Sequence, residues 1–388
     1  MNTDFSSCDI AIIGGGPVGT ALALALRESG LNIVVLEARK AEEQNADPRA
    51  LALSYGSRLL LDKLGVWKQI PQVSGIKTIH VSQKDSSGTT LLHAAEMKVP
   101  ELGYVLPYPA LQRALHQALL QTDVTYLECA TVRRLENAAD GAALTYQYEG
   151  SEHRLDARLA VVADGGKLLE ASHPPKVSEY GQSAVIAHIT CTAPKIDTAF
   201  ERFTAQGPVA LLPYRGGYEI VWTGSHEQAQ AMLQWDDATF LAGLHRHFGD
   251  AVGEFLSVGK RSRFPLRLKR APDTTLPHTV LIGNAAQTLH PVAGQGFNMG
   301  VRDAWELARI ILRAQPAALG TAAMLEEYRK SRRLDRNAGI VFTDGLVRIF
   351  SNDLPLLSSG RGWALSVLDH LPLAKKFVAK RMMFGANG

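Results

Sequence analysis

The chain has 388 residues, 46% of them hydrophobic and 20% charged, with 41 basic and 38 acidic side chains. This composition excludes a disordered chain and allows two or three domains' worth of core; the near-balance of charge speaks against nucleic acid as a partner. Cys8, Cys129 and Cys191 stand far apart in no paired spacing, which excludes a disulfide framework or a zinc site and leads one to expect a reducing compartment.

No basic leader opens the chain, and no apolar run approaches the ~20 residues of a spanning helix. A cytoplasmic protein is expected, with any membrane contact peripheral. Asp9 to Ile13 (DIAII) reads as a buried parallel strand. Ala21 to Ser29 reads as a helix closed by Gly30, and Leu31 to Glu37 as the next strand, completing a βαβ unit. Asp47 to Trp67 begins as a loop and continues as a helix; Ile76 to Gln83 alternates like a half-exposed strand; Pro109 to Gln121 is helical. Leu159 to Ala163 is another buried strand, ending at Asp164-Gly165. After Tyr180 the character changes: Ala184 to Thr190, Val209 to Tyr214 and Tyr218 to Thr223 read as antiparallel strands, and Gln228 to Phe248 as a helix. A buried strand returns at Thr279 to Ile282, followed by glycines and a helix from about Met299 to Ala314.

Gly14-Gly15-Gly16-Pro17-Val18-Gly19 follows the first strand, opens the first helix, and precedes Glu37 at the tip of the second strand. In that context it is a dinucleotide fingerprint. Gly14 makes the tight turn, Gly16 lets the backbone approach a pyrophosphate, and Gly19 permits close helix–strand packing. The helix N-terminus favours the anion, and Glu37 can accept from ribose hydroxyls. The motif alone leaves NAD and FAD both open. A second glycine cluster, Gly283-Asn284-Ala285-Ala286 leading to His290-Pro291-Val292-Ala293-Gly294-Gln295-Gly296-Phe297-Asn298-Met299-Gly300 and Asp303, suggests backbone pressed against a flat ligand. Asp164-Gly165 lies at the carboxyl edge of the sheet, where such folds bind ligands.

The run from His290 to Asp303 closely resembles the signature of the ubiquinone-biosynthesis hydroxylases, which are class A FAD-dependent monooxygenases. Asp47 to Ser54, Tyr180-Gly181-Gln182, Glu201 to Thr204 and Gly207-Pro208 resemble other segments of that family, so the likeness spans the chain. The stretch Gly283 to His290 is most similar to the 2-octaprenyl-6-methoxyphenol hydroxylase branch. The resemblance implies an α/β fold of para-hydroxybenzoate hydroxylase type: a discontinuous Rossmann-type FAD-binding domain (1–75, 105–179, 274–345), a mostly antiparallel substrate domain (76–104, 180–273) and a C-terminal helical segment (346–388). It implies ribityl contact at Asn284, where relatives usually carry Asp, and FAD contact at Arg49, Gln112, Asp164 and Gly283. Gly296, Phe297 and Asn298 would touch the flavin ring. His290 would either assist phenol deprotonation or fix its loop, and Pro291 would either wall the reactive flavin edge or only turn the chain; Asp303 would bond loop amides or act as an early-helix charge. Relatives usually carry a Ser four residues after Asp164 and an Arg beyond it; Leu168 and Ala171 stand there instead.

The chemistry implied is hydroxylation of an electron-rich ring by O₂ on FAD, with NAD(P)H as a transient reductant, since only one dinucleotide fingerprint is present. The implied partners are a polyprenylphenol, O₂ and other proteins of the pathway. Rival readings are a lipid reductase or dehydrogenase, a flavin-bound subunit without turnover, and a simple NAD-binding protein. From Val301 onward there are 14 basic and 8 acidic residues. Arg329 to Arg333 reads as a solvated helix face; the last helix, with Leu373, Phe377 and Phe384 near one side, reads equally as packed or as lying on an anionic membrane surface.

Overall fold

The computed structural model describes residues 6–40, 43, 49–84, 88–289, 294–350 and 370–385. Its strands, in chain order, are β1 (Ser7–Ile13), β2 (Ile33–Leu36), β3 (Ala50–Ser54), β4 (Ser74–Ile76), β5 (Thr78–Gln83), β6 (Thr89–His93), β7 (Gly103–Pro107), β8 (Thr125–Leu127), β9 (Thr131–Ala138), β10 (Gly141–Tyr148), β11 (Ser151–Val162), β12 (Lys176–Cys191), β13 (Thr198–Thr204), β14 (Gly207–Tyr214), β15 (Gly217–Ser225), β16 (Phe255–Val258), β17 (Ser262–Arg270), β18 (Thr275–Leu276), β19 (Thr279–Leu281) and β20 (Gln287–Thr288). The helices discussed are α1 (Pro17–Ala25), α2 (Tyr55–Lys63), α3 (Tyr108–Leu119), α4 (His226–Gln234), α5 (Asp237–Phe248), α6 (Gln295–Ile311), α7 (Ala322–Phe350) and α8 (Pro372–Phe384). No described helix is long and apolar enough to cross a membrane.

The first sheet has the order β18-β19-β11-β1-β2-β8, with β9 and β10 continuing from β11. Strands β19, β11, β1, β2 and β8 run parallel. Their near-continuous apolar runs make sense because both faces are covered. Ile10, Ile12, Val35, Leu159 and Val280 pack under Leu22 of α1, Leu111 and Leu115 of α3 and Leu307 of α6. Ala11, Ile13, Val34 and Val162 pack on the other side against Leu144, Tyr146 and Leu155 of the β10–β11 hairpin. Each such large aliphatic side chain contributes about 1.5–3 kcal/mol by leaving water.

The second sheet, β20-β17-β12-β15-β14-β13-β5-β6 with β16 on β12, is antiparallel except where β13 meets β5. One face carries Val185, Ala187, Ile189, Val209, Leu211, Tyr218, Ile220 and Trp222, which pack on Met232, Phe240, Leu244 and Phe248 of α4 and α5. The opposite face turns toward the first sheet's half of the molecule. At one end Ala199, Leu212 and Tyr214 meet Ala50, Ile76 and Val105; at the other Leu268 meets Leu289, Met299 and Ile340. A third sheet, β3-β7-β4, stands between the two halves.

Several elements differ from expectation. Ala50–Ser54, expected as loop, is a strand, because its partner Gly103–Pro107 lies some fifty residues away and no local signal marks it. The helix expected over Gln228 to Phe248 is two: Ser225 and Gln228 form a reciprocal cap for α4, and Asp236 caps α5 afresh by accepting from the Thr239 amide (2.7 Å). Arg329 to Arg333 is not a uniformly solvated face. Arg332 is buried and paired with Asp303 and Asp335, whereas Arg329 and Lys330 pair at the surface with Glu326. In α8, Phe384 does not share the exposed side of Leu373 and Phe377; it packs edge-on against Tyr55.

Candidate active site

The site is set by strand register. Leu36, Ile13, Val162 and Leu281 are neighbours at the carboxyl ends of β2, β1, β11 and β19. The segments that follow them, Glu37, Gly14–Gly19, Asp164–Gly166 and Gly283–Asn284, therefore emerge side by side at one edge. That edge is where ligands sit in open α/β sheets.

The first turn is built so that only glycine fits. Gly14 has φ +109°, and a Cβ there would come 2.8 Å from the Ala163 carbonyl and the Asp164 nitrogen. A Cβ at Gly19 would overlap the Gly14 carbonyl oxygen. Gly16 is different: a Cβ would meet nothing within 4 Å, so its open side faces the crevice. It caps α1 without a side-chain bond, with Pro17 at the first turn, which leaves the next amides directed at the same space. The turn's carbonyl at Gly15 accepts from Gln112 Nε2 (2.8 Å) and Thr20 Oγ1 (2.9 Å). Glu37, buried, accepts from the Gly15 amide (2.7 Å) and from the Arg39 amide and Nε.

At the second turn, Asp164 folds back on its own backbone, accepting from the Gly166 amide (2.7 Å) and the Leu168 amide (2.8 Å). Gly165, at φ +84°, has open space on its Cβ side. The third turn is anchored from below: buried Asp303 accepts from the Gly283 amide (3.1 Å), Gln287 Nε2 (3.0 Å) and Arg332 Nε (2.7 Å). Its role is thus to bond loop amides. Asn284 is exposed at the turn, and its amide makes no hydrogen bond among the described residues.

Helix α6 brings the last segment in. Gly300 lies so close to α1 that a Cβ would meet Val18 at 2.8 Å and the Gly283 Cα at 3.2 Å. Its N-cap, Gly294, sits at φ +60° against Ala52 and has no side-chain cap. Asn298 is buried and uses its side chain on β3 and α2, accepting from the Ser54 amide (2.8 Å) and Ser57 Oγ (2.7 Å) and donating to the carbonyls of Ala52 and Gly294. What this segment offers a ligand is backbone, and Gly296, with nothing within 4 Å of a Cβ, leaves it uncovered. Arg49 spans the seam between the halves, its guanidinium over Phe264 of β17 (5.1 Å) and near Tyr108 (5.9 Å). Asp47, Pro48, His290 and Pro291 lie outside the described residues.

Opposite these turns is the inward face of the second sheet. Ile186, Leu212, Val221, Ile79 and Val81 keep part of their surface accessible there, together with His188 and Glu201. The face touches the other half at its two ends and leaves a mostly apolar gap between. Sequence reading passed over Glu201 and Glu219 as site residues. The signal existed: in YEIVWT the alternation that sends Tyr218, Ile220 and Trp222 to the helix side sends Glu219, Val221 and Thr223 to the other.

Three glycine turns with open backbone at Gly16, Gly165 and Gly296, a buried ribose-type carboxylate and a facing apolar gap fit an extended dinucleotide carrying a flat ring. Comparison with known proteins agrees. The FAD binding domain family matches residues 7–341. The chain is 32% identical to the ubiquinone hydroxylase UbiL of Rhodospirillum rubrum, covering 96% of this chain and 89% of that one. It is 30% identical to the 3-demethoxyubiquinol 3-hydroxylase of Escherichia coli, covering 96% and 97%. In fold it resembles the p-nitrophenol 4-monooxygenase PnpA of Pseudomonas putida, at 15% identity, with a TM-score of 0.78 over 98% of this chain and 100% of that one. The chain is an FAD-binding enzyme and belongs to the FAD-dependent monooxygenase family that includes the ubiquinone-biosynthesis hydroxylases.

Proposed function

We propose that this enzyme hydroxylates the aromatic ring of a polyprenylphenol in ubiquinone biosynthesis, using O₂ and reducing equivalents from NAD(P)H. The observation that carries the reading is the juxtaposition of the three glycine turns with an apolar, partly open sheet face. The names of the relatives at 30% identity and above supply the pathway.

FAD, when bound, supplies the redox and oxygen chemistry, and the chain's own residues hold it and keep the site dry. Gly14, Gly16 and Gly19 admit the pyrophosphate to the α1 N-terminus. Glu37 accepts from the adenosine ribose, which disfavours a 2′-phosphate there, and Gln112 keeps the Gly15 carbonyl turned away from it. The Gly283 turn and the Asn284 amide receive the ribityl chain, and Asp164 shapes the turn that borders it. The uncapped amides of Gln295, Gly296 and Phe297 at the α6 N-terminus, beside Asn298, face the ring's electron-rich edge, and Arg49 closes the seam. His290 and Pro291 remain assigned to the reactive side on the resemblance alone.

The test is product mass after turnover with ¹⁸O₂ and NAD(P)H. One labelled oxygen per product is expected. Reductant consumption with an unlabelled product would contradict the reading and favour a reductase or dehydrogenase. An electron donor other than NAD(P)H is the second reading, favoured by Leu168 and Ala171 and by the closure of Asp164 on its own turn. It predicts bound flavin that NAD(P)H does not bleach even with phenol present.

Peripheral membrane contact fits a lipid-borne substrate. On α8, Leu373 (84% exposed) and Phe377 (60% exposed) stand beside exposed Lys376 and Lys380, while Ala379 and Met383 face inward and Lys375 pairs with Glu96. Truncating this helix would also strip Met383 and Phe384 from α2. The double change Leu373→Ser/Phe377→Ser is cleaner. It should weaken co-sedimentation with anionic vesicles about tenfold, from the loss of two apolar anchors, with flavin content unchanged. Equal sedimentation of variant and parent would refute the contact.

A further inference from the structure

Two carboxyl groups, those of Glu201 and Glu219, lie on the inward face of the second sheet. Glu219 of β15 lies directly across from His188 of β12 and Leu212 of β14. Glu201 of β13 lies across from Ala210 of β14 and Val81 of β5. Cross-strand neighbours share a face, so both carboxyls belong to the face that carries Ile186, Leu212 and Val221. Neither accepts a hydrogen bond or an ion pair from any described residue. Glu201 keeps accessible surface although protein surrounds it, which places it on the gap.

The charged and titratable groups around them are few. Arg215 acts on Glu219 only at electrostatic range, since its guanidinium is donated to Gln72 Oε1 at the rim. Beside Glu219 stand His188, held toward its neutral form by burial and by Arg215, and Tyr214, whose phenol is pushed up by burial. Arg49 lies farther along the face, over Phe264. No ionisable neighbour shifts Glu201. Burial pushes both carboxyls up to about 7. Below that they are neutral and can donate one hydrogen bond each; above it they add negative charge to a poorly solvated wall.

We infer that Glu201 and Glu219 are specificity-determining residues, which admit an uncharged ring bearing hydroxyl or methoxyl oxygens and reject aromatic anions. The inference rests on the reading of this gap as the ring site. Neutral carboxyls suit oxygen substituents as donors to ether or phenol oxygens. A ring carrying a carboxylate would place like charges together, while Arg215 is engaged with Gln72 at the rim and Arg49 stacks over Phe264 farther along the face.

The test uses the FAD-loaded enzyme and two probes that differ by one carboxylate: 2-methoxyphenol and 4-hydroxy-3-methoxybenzoate. Dissociation constants come from perturbation of the flavin spectrum at pH 6 and pH 8, where the second probe is an anion throughout. In the wild type the anion should bind at least about tenfold more weakly than the neutral phenol at pH 8, with the gap narrowing toward pH 6. In Glu201→Gln/Glu219→Gln, which keeps size and hydrogen bonding but not the charge, the gap should be small and independent of pH. Equal binding of the two probes by the wild type, or an unchanged gap in the double variant, overturns this inference alone. Failure of 2-methoxyphenol to perturb the flavin of the wild type overturns the ring-site reading and takes this inference with it.

Discussion

Gly16→Ala is expected to leave the fold intact and to lower FAD affinity at least tenfold. The three glycines of the first turn do different work. At Gly14 and Gly19 an added methyl would strike backbone of the protein itself, so alanine there should impair folding as well as binding. At Gly16 the φ of −68° suits any residue and the space is clear. The methyl would instead occupy the approach to the uncapped amides of α1, where the pyrophosphate must lie. A loss of ~1.4 kcal/mol is a factor of ten in binding, and a methyl held inside van der Waals contact of a phosphate exceeds that. Flavin released per chain, together with the melting temperature of the flavin-free protein, separates the cases. Full flavin occupancy in Gly16→Ala would show that the crevice lies elsewhere.

Arg332→Met should have the second large effect. Arg332 is buried between Asp303 and Asp335, and Arg302 also holds Asp335 (2.8 Å). Asp303 in turn carries the Gly283 amide. Removing the cation leaves buried Asp303 without its ion-pair partner, a loss of about 3–5 kcal/mol, measurable as a shift in the denaturant midpoint. Flavin retention should fall with it as the third turn loosens. The neighbouring Arg333→Ala is the control: Arg333 is exposed, and its loss should change stability by no more than about 0.5 kcal/mol. Equal midpoints for Arg332→Met and Arg333→Ala would contradict the anchoring role.

The glycine turns were legible because their chemistry is local. A run such as DIAII followed by glycines and then a carboxylate at the next strand tip states its own geometry, and register brings the remaining turns beside it. The clamp made by Asn298 was not legible in detail, because the Ser54 amide that donates to its Oδ1 belongs to a strand, Ala50–Ser54, whose pairing is non-local. Arg332 sits in a run of basic residues that reads as surface, and only the turn of α7 toward α6 separates it from Arg329 and Arg333. Glu219 was visible as the odd member of an alternating strand, but which face of a sheet meets the cofactor half depends on how two halves pack, and no local pattern encodes that.

The stretches near residues 14, 164 and 295 are expected to close on one ligand. Amide hydrogen exchange with and without added FAD tests it in a single experiment. Protection should rise together in Gly15–Gly19, Gly165–Leu168 and Gln295–Asn298. Protection confined to the first stretch, with the other two unchanged, would mean that no flavin spans the sheet edge.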